Sequence, residues 1–217
     1  MTSPTVTGQG RGTLAEQAYR SLSDRLVMLQ ICPGEPVNDE RLAAELGFGR
    51  TPVREALKRL EHERLIVAYP RRGTFATEVQ IADLGHISEV RQQLEPLAAA
   101  LAAQRATEGE RAALGRLLAQ LAEVSEGGSD LIRLDMAVHR AIYAATHNPH
   151  LEDTLVRYDN LATRIWCLFV DRLPGLAGHV HEHGPLLRAI IDRDAERAAA
   201  LAAAHVEGFE AAIRRLI

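Results

Sequence analysis

The sequence predicts a mainly α-helical protein with one small β-hairpin near its front and an all-α antiparallel bundle of about six helices behind. Three observations carry this. Alanine and leucine dominate an apolar fraction of 47%, while aromatic residues make up only 4%, a mixture that favours helix over sheet. Apolar residues recur at spacings of three and four along most of the 217 residues, the period of an amphipathic helix. A β-prone stretch, Leu65 to Tyr69, is followed by the turn Pro70-Arg-Arg-Gly73 and a second stretch, Thr74 to Thr77, which is the pattern of a hairpin.

Length allows two modest domains. The segment Met1 to Gly12 has no apolar core and reads as a disordered leader, not a signal peptide. No run of about 18 uncharged apolar residues occurs, so no membrane span is expected. Cys32 and Cys167 are single and distant, which implies neither a disulfide framework nor a cysteine metal knuckle. A reducing cytoplasm is the simplest compartment. The net charge of −4 divides unevenly. Residues 1–77 carry 11 Lys and Arg against 9 Asp and Glu, whereas residues 78–217 carry 14 against 20. The front is therefore the part fit to approach phosphate.

In chain order, Leu14, Ala18, Leu22, Leu26 and Leu29 step by four and three and mark a first helix, ended by Pro33-Gly34. Glu35-Pro36-Val37 is a short extended connector. Asn38 and Asp39 suit the cap of a second helix with Leu42, Ala43 and Leu46 inward, closed by Gly47. Thr51 as N-cap and Pro52 at the first position start a third helix, on which Val53, Ala56, Leu57 and Leu60 draw one apolar stripe. Arg50, Arg54 and Lys58 fall off that stripe, faced only by the carboxylates of Glu55 and Glu61.

Two short helices joined by a glycine-bearing turn form a helix-turn-helix, and a hairpin directly behind it is a wing. The wing tip carries Arg71, Arg72 and Gly73. An isolated basic helix fits a solvated surface better than DNA, but the neighbouring elements favour DNA. In the major groove Arg50 and Arg54 can each donate two hydrogen bonds to guanine, while Thr51, Lys58 and the wing meet phosphate.

Glu78 to Asp83 is the expected linker. Helical periodicity then predicts helices at 83–106, 108–125, 129–147, 150–172, 179–192 and 194–216, with breaks near Thr107, Gly127-Gly128, Asn148-Pro149, Pro174-Gly175 and Arg193-Asp194. The domains follow as a leader over 1–12, a winged helix-turn-helix over 13–78 and an all-helical domain over 79–217.

Asp135 and His139 lie four apart on one helix face. His183 falls on the fifth of these helices and His205 on the sixth, so three imidazoles and a carboxylate can converge inside the bundle. Such donors suit Zn²⁺ foremost, and also Ni²⁺, Mn²⁺ or Fe²⁺. His179 is four residues before His183 and competes with it as a ligand, although a solvated helix start is the preferred reading for His179 and His181. His147 and His150 flank a helix break. Trp166 and Phe169 read as core or dimer packing.

The stretch from Pro33 to Ile66, "PGEPVNDERLAAELGFGRTPVREALKRLEHERLI", resembles the winged-helix signature of the GntR superfamily of bacterial regulators, FadR branch, with "GRTPVREAL" its most specific part. "EVRQQLEPLAAALAA" (Glu89 to Ala103) resembles the opening of that branch's FCD effector domain, and "DMAVHRAI", "HNPHL", "EHGPLLRAI" and "AAHV" follow in the family order. The resemblance covers the chain from about Thr13 onward. It implies that Asp135, His139, His183 and His205 are metal ligands and that Arg50, Thr51, Arg54 and Gly73 touch DNA. Gly49 stands where the family usually has Ser or Thr, and Glu40-Arg41 where some members have Arg then Glu. About six effector helices match the shorter, vanillate-type subgroup. Arg91 matches a family arginine near the effector pocket, with an intrahelical pair to Glu95 as the equal alternative. Asn148 and Arg164 are weaker ligand-binding candidates.

The resulting expectation is a homodimeric, metabolite-responsive regulator, by default a repressor. It binds a pseudopalindromic operator, a divalent metal ion and a small carboxylic acid effector. The rivals are a metalloenzyme using the three-His, one-Asp site and a helical interaction module with a structural metal.

Overall fold

The computed structural model describes residues 12–124, 128–170 and 176–216. The leader as far as Arg11, and the breaks expected at Gly127 and Pro174-Gly175, lie outside the described residues. The chain divides into two compact units, the first ending at Glu78 and the second starting at Val79.

In the first unit, α1 (Leu14–Val27), α2 (Asp39–Leu46) and α3 (Arg50–His62) precede an antiparallel hairpin of β1 (Ile66–Tyr69) and β2 (Gly73–Ala76). Leu22, Leu26, Leu42, Val53, Leu60 and Leu65 are fully buried and fuse the three helices and the hairpin into one core. The first helix ends at Val27, earlier than Pro33-Gly34, and Leu29 turns out of the stripe with a φ of 54°. Residues 34–37 do more than connect: Gly34 N–H donates to Ala76 O at 3.0 Å and Val37 N–H to Thr74 O at 2.8 Å, adding a short third edge to the wing. Asn38 Oδ1 accepts from Glu40 and Arg41 N–H and caps α2, which Gly47 closes at a φ of 68°. The cap of α3 departs from expectation. Gly49 holds that place without a side-chain bond, so the helix starts at Arg50 and puts Thr51 inside its first turn.

In the second unit, a 3₁₀ turn (Ile81–Asp83) leads into α4 (Leu84–Arg105), followed by α5 (Glu108–Glu123), α6 (Gly128–Ala144), α7 (Pro149–Phe169), α8 (Leu176–His181), α9 (His183–Ile191) and α10 (Ala195–Arg214). The segment expected as one helix over 179–192 is therefore two. Pro185 supplies the reason, because it lacks the N–H that would reach back to His181 and its ring crowds that carbonyl. Pro96, by contrast, sits inside the unbroken α4, where packing outweighs a local cost of roughly 3 kcal/mol.

α4 packs along α10 and crosses α7, while α6 packs on α7. Ala98, Ala99, Ala102 and Ala103 of α4 and Ala198 and Ala202 of α10 are all buried. Side chains this small let backbones approach closely, and the seam has no slack for larger ones. Ala102→Leu should therefore destabilise the second unit by about 1–3 kcal/mol, read from the midpoint of urea unfolding. An unchanged midpoint would show that the seam has room to spare.

Candidate metal centre and DNA-reading face

On the first unit, the buried stripe of α3 leaves Arg50, Thr51, Arg54 and Lys58 exposed together. Arg71, Arg72 and Gly73 are exposed at the wing tip, where Arg71 has a φ of 64° and Gly73 one of 101°. One expectation is corrected here. The carboxylate that meets the arginines is Asp39 of α2, with Oδ2 2.5 Å from Arg54 Nε and 3.4 Å from Arg50 Nη2. The Arg54 hydrogen bond first, with both guanidinium charges behind it, holds the Asp39 carboxyl below its ordinary pKa. Sequence spacing hid this contact because Asp39 was read only as a helix cap.

In the second unit, Asp135 and His139 of α6, His183 of α9 and His205 of α10 converge, and all four are buried. Their potential ligand atoms lie within 4.8 Å of one another. His183 Nε2 is 2.7 Å from Asp135 Oδ1, and His139 Nε2 is 3.8 Å from Asp135 Oδ2. The His139 and His183 rings meet edge to face at 4.8 Å. Donors at these separations can close around an ion with bonds of about 2.0–2.2 Å.

Two carboxylates sit behind the histidines. Glu95 Oε2 lies 3.3 Å from His139 Nδ1, with the Tyr143 hydroxyl 3.1 Å from the same nitrogen. Glu182 Oε2 lies 3.2 Å from His205 Nδ1. A carboxylate on one imidazole nitrogen keeps the proton there and frees the other for a cation. His183 Nδ1 is buried with no hydrogen-bond partner among the described residues. Donor types, burial and orientation all fit a divalent ion.

The charges are strongly coupled. Burial alone would lower the His139 imidazolium, but Glu95, then Asp159 and Asp135, outweigh it and raise the pKa to about 9. Burial pushes His183 down despite Asp135, and pushes His205 well down with help from His183, His179 and His139. Asp135 is lowered because His139 and His183 overcome the effect of burial.

Between the cluster and Arg91, Asp159, Thr163, Trp166, His179 and Phe209 lies a small cavity of about 10 Å³, room for about one water molecule. Arg91 makes the intrahelical pair with Glu95 and also lines the cavity. Its Nε donates to Glu95 Oε1 at 2.6 Å, and its guanidinium lines the cavity with Nη2 3.7 Å from Asp159 Oδ1. Burial opposes the Arg91 charge, yet Glu95 and Asp159 raise its pKa overall. Burial lifts the Asp159 pKa above its ordinary value.

Other expectations shift. His179 is not a solvated helix start: its side chain is 13% exposed, and its ring stacks on His205 at 4.0 Å. His181 is exposed as expected. Trp166 lines the cavity edge-on to His179 instead of only filling core. Asn148 is occupied as the N-cap of α7, accepting from Leu151 N–H, and Arg164 is buried in α7; neither is among the residues lining the cavity. Sequence reasoning missed Asp159, although a signal existed. It shares a helical face with Leu155, Ala162 and Trp166, and a carboxylate on a buried stripe demands a partner.

The fold and the two sites define a class: a transcription regulator with a winged helix-turn-helix in front and a separate all-helical domain behind. The chain belongs to the GntR family of bacterial regulatory proteins, whose model matches residues 14–76, and carries an FCD domain over residues 86–208. It is similar to the Nta operon transcriptional regulator of Aminobacter aminovorans, 32% identical over 180 residues that cover 81% of this chain and 82% of that one. The HTH-type transcriptional repressor RspR of Escherichia coli (strain K12) is 24% identical over 93% of this chain and 89% of its own length. The solved structure of E. coli McbR/YncC superposes with a TM-score of 0.81 at 26% identity, covering 95% of this chain and 99% of that one. These families and relatives are regulators, not enzymes. No helix among the described residues is long and apolar enough to cross a membrane.

Glu95→Gln should remove the charge that balances Arg91 and His139 inside the second unit. Stripping one partner from a buried ion pair costs about 3–5 kcal/mol, so a large fall in thermal midpoint is expected. A midpoint within a degree of the parent would mean that Asp159 alone balances Arg91.

Proposed function

We propose that the protein is a cytoplasmic, homodimeric repressor whose helical domain binds a divalent ion and a small carboxylic acid that alters operator binding. The observation that carries this is the four-residue donor cluster opening onto a cavity that also presents Arg91. When bound through Asp135, His139, His183 and His205, the ion supplies positive charge that one protein carboxylate leaves incompletely neutralised. Arg91 keeps N–H groups available beyond its bond to Glu95, and a guanidinium is suited to grip a carboxylate. The void of about 10 Å³ is far below the roughly 300–1,000 Å³ of ligand pockets, so an acid enters only as side chains move aside, which favours a small one. Trp166 and Phe209 supply the apolar wall of the void.

At the front, Arg50 and Arg54 read bases, while Thr51, Lys58, Arg71, Arg72 and Gly73 fix the backbone. One winged helix buries too little surface for tight specific binding, so two copies meet a pseudopalindromic operator. The acid regulates only if its affinity differs between DNA-competent and DNA-incompetent states. RspR is a repressor, which supports that sign for this chain. Zinc suits the donor set best, with nickel, manganese or iron as rivals.

The test is operator affinity by fluorescence anisotropy, with and without candidate acids, before and after metal removal. An affinity that no acid changes in the metal-loaded protein would overturn the effector reading. Two variants sharpen it. Arg54→Ala should weaken operator binding by about 1–3 kcal/mol and relax preference at one base position. Unchanged affinity there would take Arg54 out of base reading. His183→Ala should lose the tight metal equivalent and the acid response while leaving the first unit folded by circular dichroism. A tight metal equivalent retained in that variant would move the role to His179.

A further inference from the structure

A second set of ligating side chains lies just outside the buried cluster. The Nδ1 atoms of His179 and His205 both face Glu182 Oε2, at 3.1 and 3.2 Å, and the two rings are stacked with an interplanar angle of 12°. His179 lies near the end of α8 and Glu182 one residue past it, in the turn to α9, three residues along and on the same side, and His205 comes across from α10. Two imidazole nitrogens and a carboxylate oxygen are suitable donors for borderline divalent ions. Side-chain exposure rises in one direction, from 0% at His183 through 3% at His205 and 13% at His179 to 50% at Glu182. The set therefore leads from solvent to the cluster.

We propose that His179, Glu182 and His205 form an outer divalent-cation site that shares His205 with the buried cluster and lies on the way into it. The sharing rests on the four-residue metal site proposed above; the outer triad does not. A neutral imidazole offers one lone pair at a time, because its other ring nitrogen carries the proton. His205 accordingly serves one ion at a time. With Nδ1 unprotonated it completes the outer site beside Glu182. With the proton on Nδ1, donated to Glu182, its Nε2 is the nitrogen left for the inner one. Passing an ion inward needs only this exchange of tautomer, with Glu182 in contact throughout. Trp166, edge-on to His179 at 5.3 Å, limits how far the outer ring can swing away.

The experiment uses the metal-free full chain and Co²⁺, followed by visible absorption. In an Asp135→Asn/His183→Ala background, which removes two inner ligands, one weaker Co²⁺ equivalent should remain. It should be lost on adding Glu182→Gln or His179→Ala. A folded background that binds no Co²⁺, or binding that survives both additions, would overturn the proposal. Should that background not fold, the partly exposed variants decide. Glu182→Gln and His179→Ala in the otherwise intact chain should slow Co²⁺ loading at the same final stoichiometry. An unchanged rate, or loss of the tight equivalent with Glu182→Gln, would reduce Glu182 to a prop for His205. An intact chain with no tight equivalent, beside a background that still binds, would instead sink the inner site and leave the outer one standing.

Discussion

The second unit depends on balancing charge where water does not reach. Arg91, Glu95, Asp135, His139 and Asp159 are each at most 4% exposed, and an isolated charge so placed would cost several kcal/mol. The bond from Arg91 to Glu95 is made within α4, but Glu95 reaches His139 on α6 and Arg91 reaches Asp159 on α7. Shape alone would let three apolar helices slide past one another. The ionic chain permits one register, and that register brings the α6 donors opposite His183 and His205. The same chain selects the His139 nitrogen that stays free. The metal-capable geometry is in this sense a by-product of charge satisfaction in the core.

Much of this was legible in the sequence because it is periodic or local. Val53, Ala56, Leu57 and Leu60 form the buried face of α3 as their spacing requires, and Asp135 with His139 shares a face as a step of four dictates. The hairpin follows from two β-prone runs around a turn. Tertiary contacts decided what was illegible. Asp39 was visible as a cap residue, but its reach to Arg50 and Arg54 depends on how α2 meets α3. Pro185 did mark the break between α8 and α9, and histidine spacing drew attention away from it. His179 looked solvated on a helix start and is instead covered by Trp166 and His205. Asp159 shows how a stripe can be interrupted by the residue that matters most to its surroundings.

The two units solve different electrostatic problems. The buried cluster concentrates charges that cannot escape one another, so their pKa values move far and together. The DNA-reading face is solvated, and its pairing energies are correspondingly small. A change of charge on one buried group of the second unit is therefore felt by its neighbours, while pairs on the first unit act more nearly alone.

The contact between Asp39 and the two arginines bears on the problem of finding a target within a genome. Attraction to anonymous duplex scales with the positive charge a protein offers to phosphate. On the proposed reading, one carboxylate between Arg50 and Arg54 offsets half of their charge and leaves guanidinium N–H groups for guanine edges. Stray sites, which outnumber the operator by millions, lose more from that offset than the cognate sequence does. On that reading, Asp39 raises discrimination by making indiscriminate adhesion weaker.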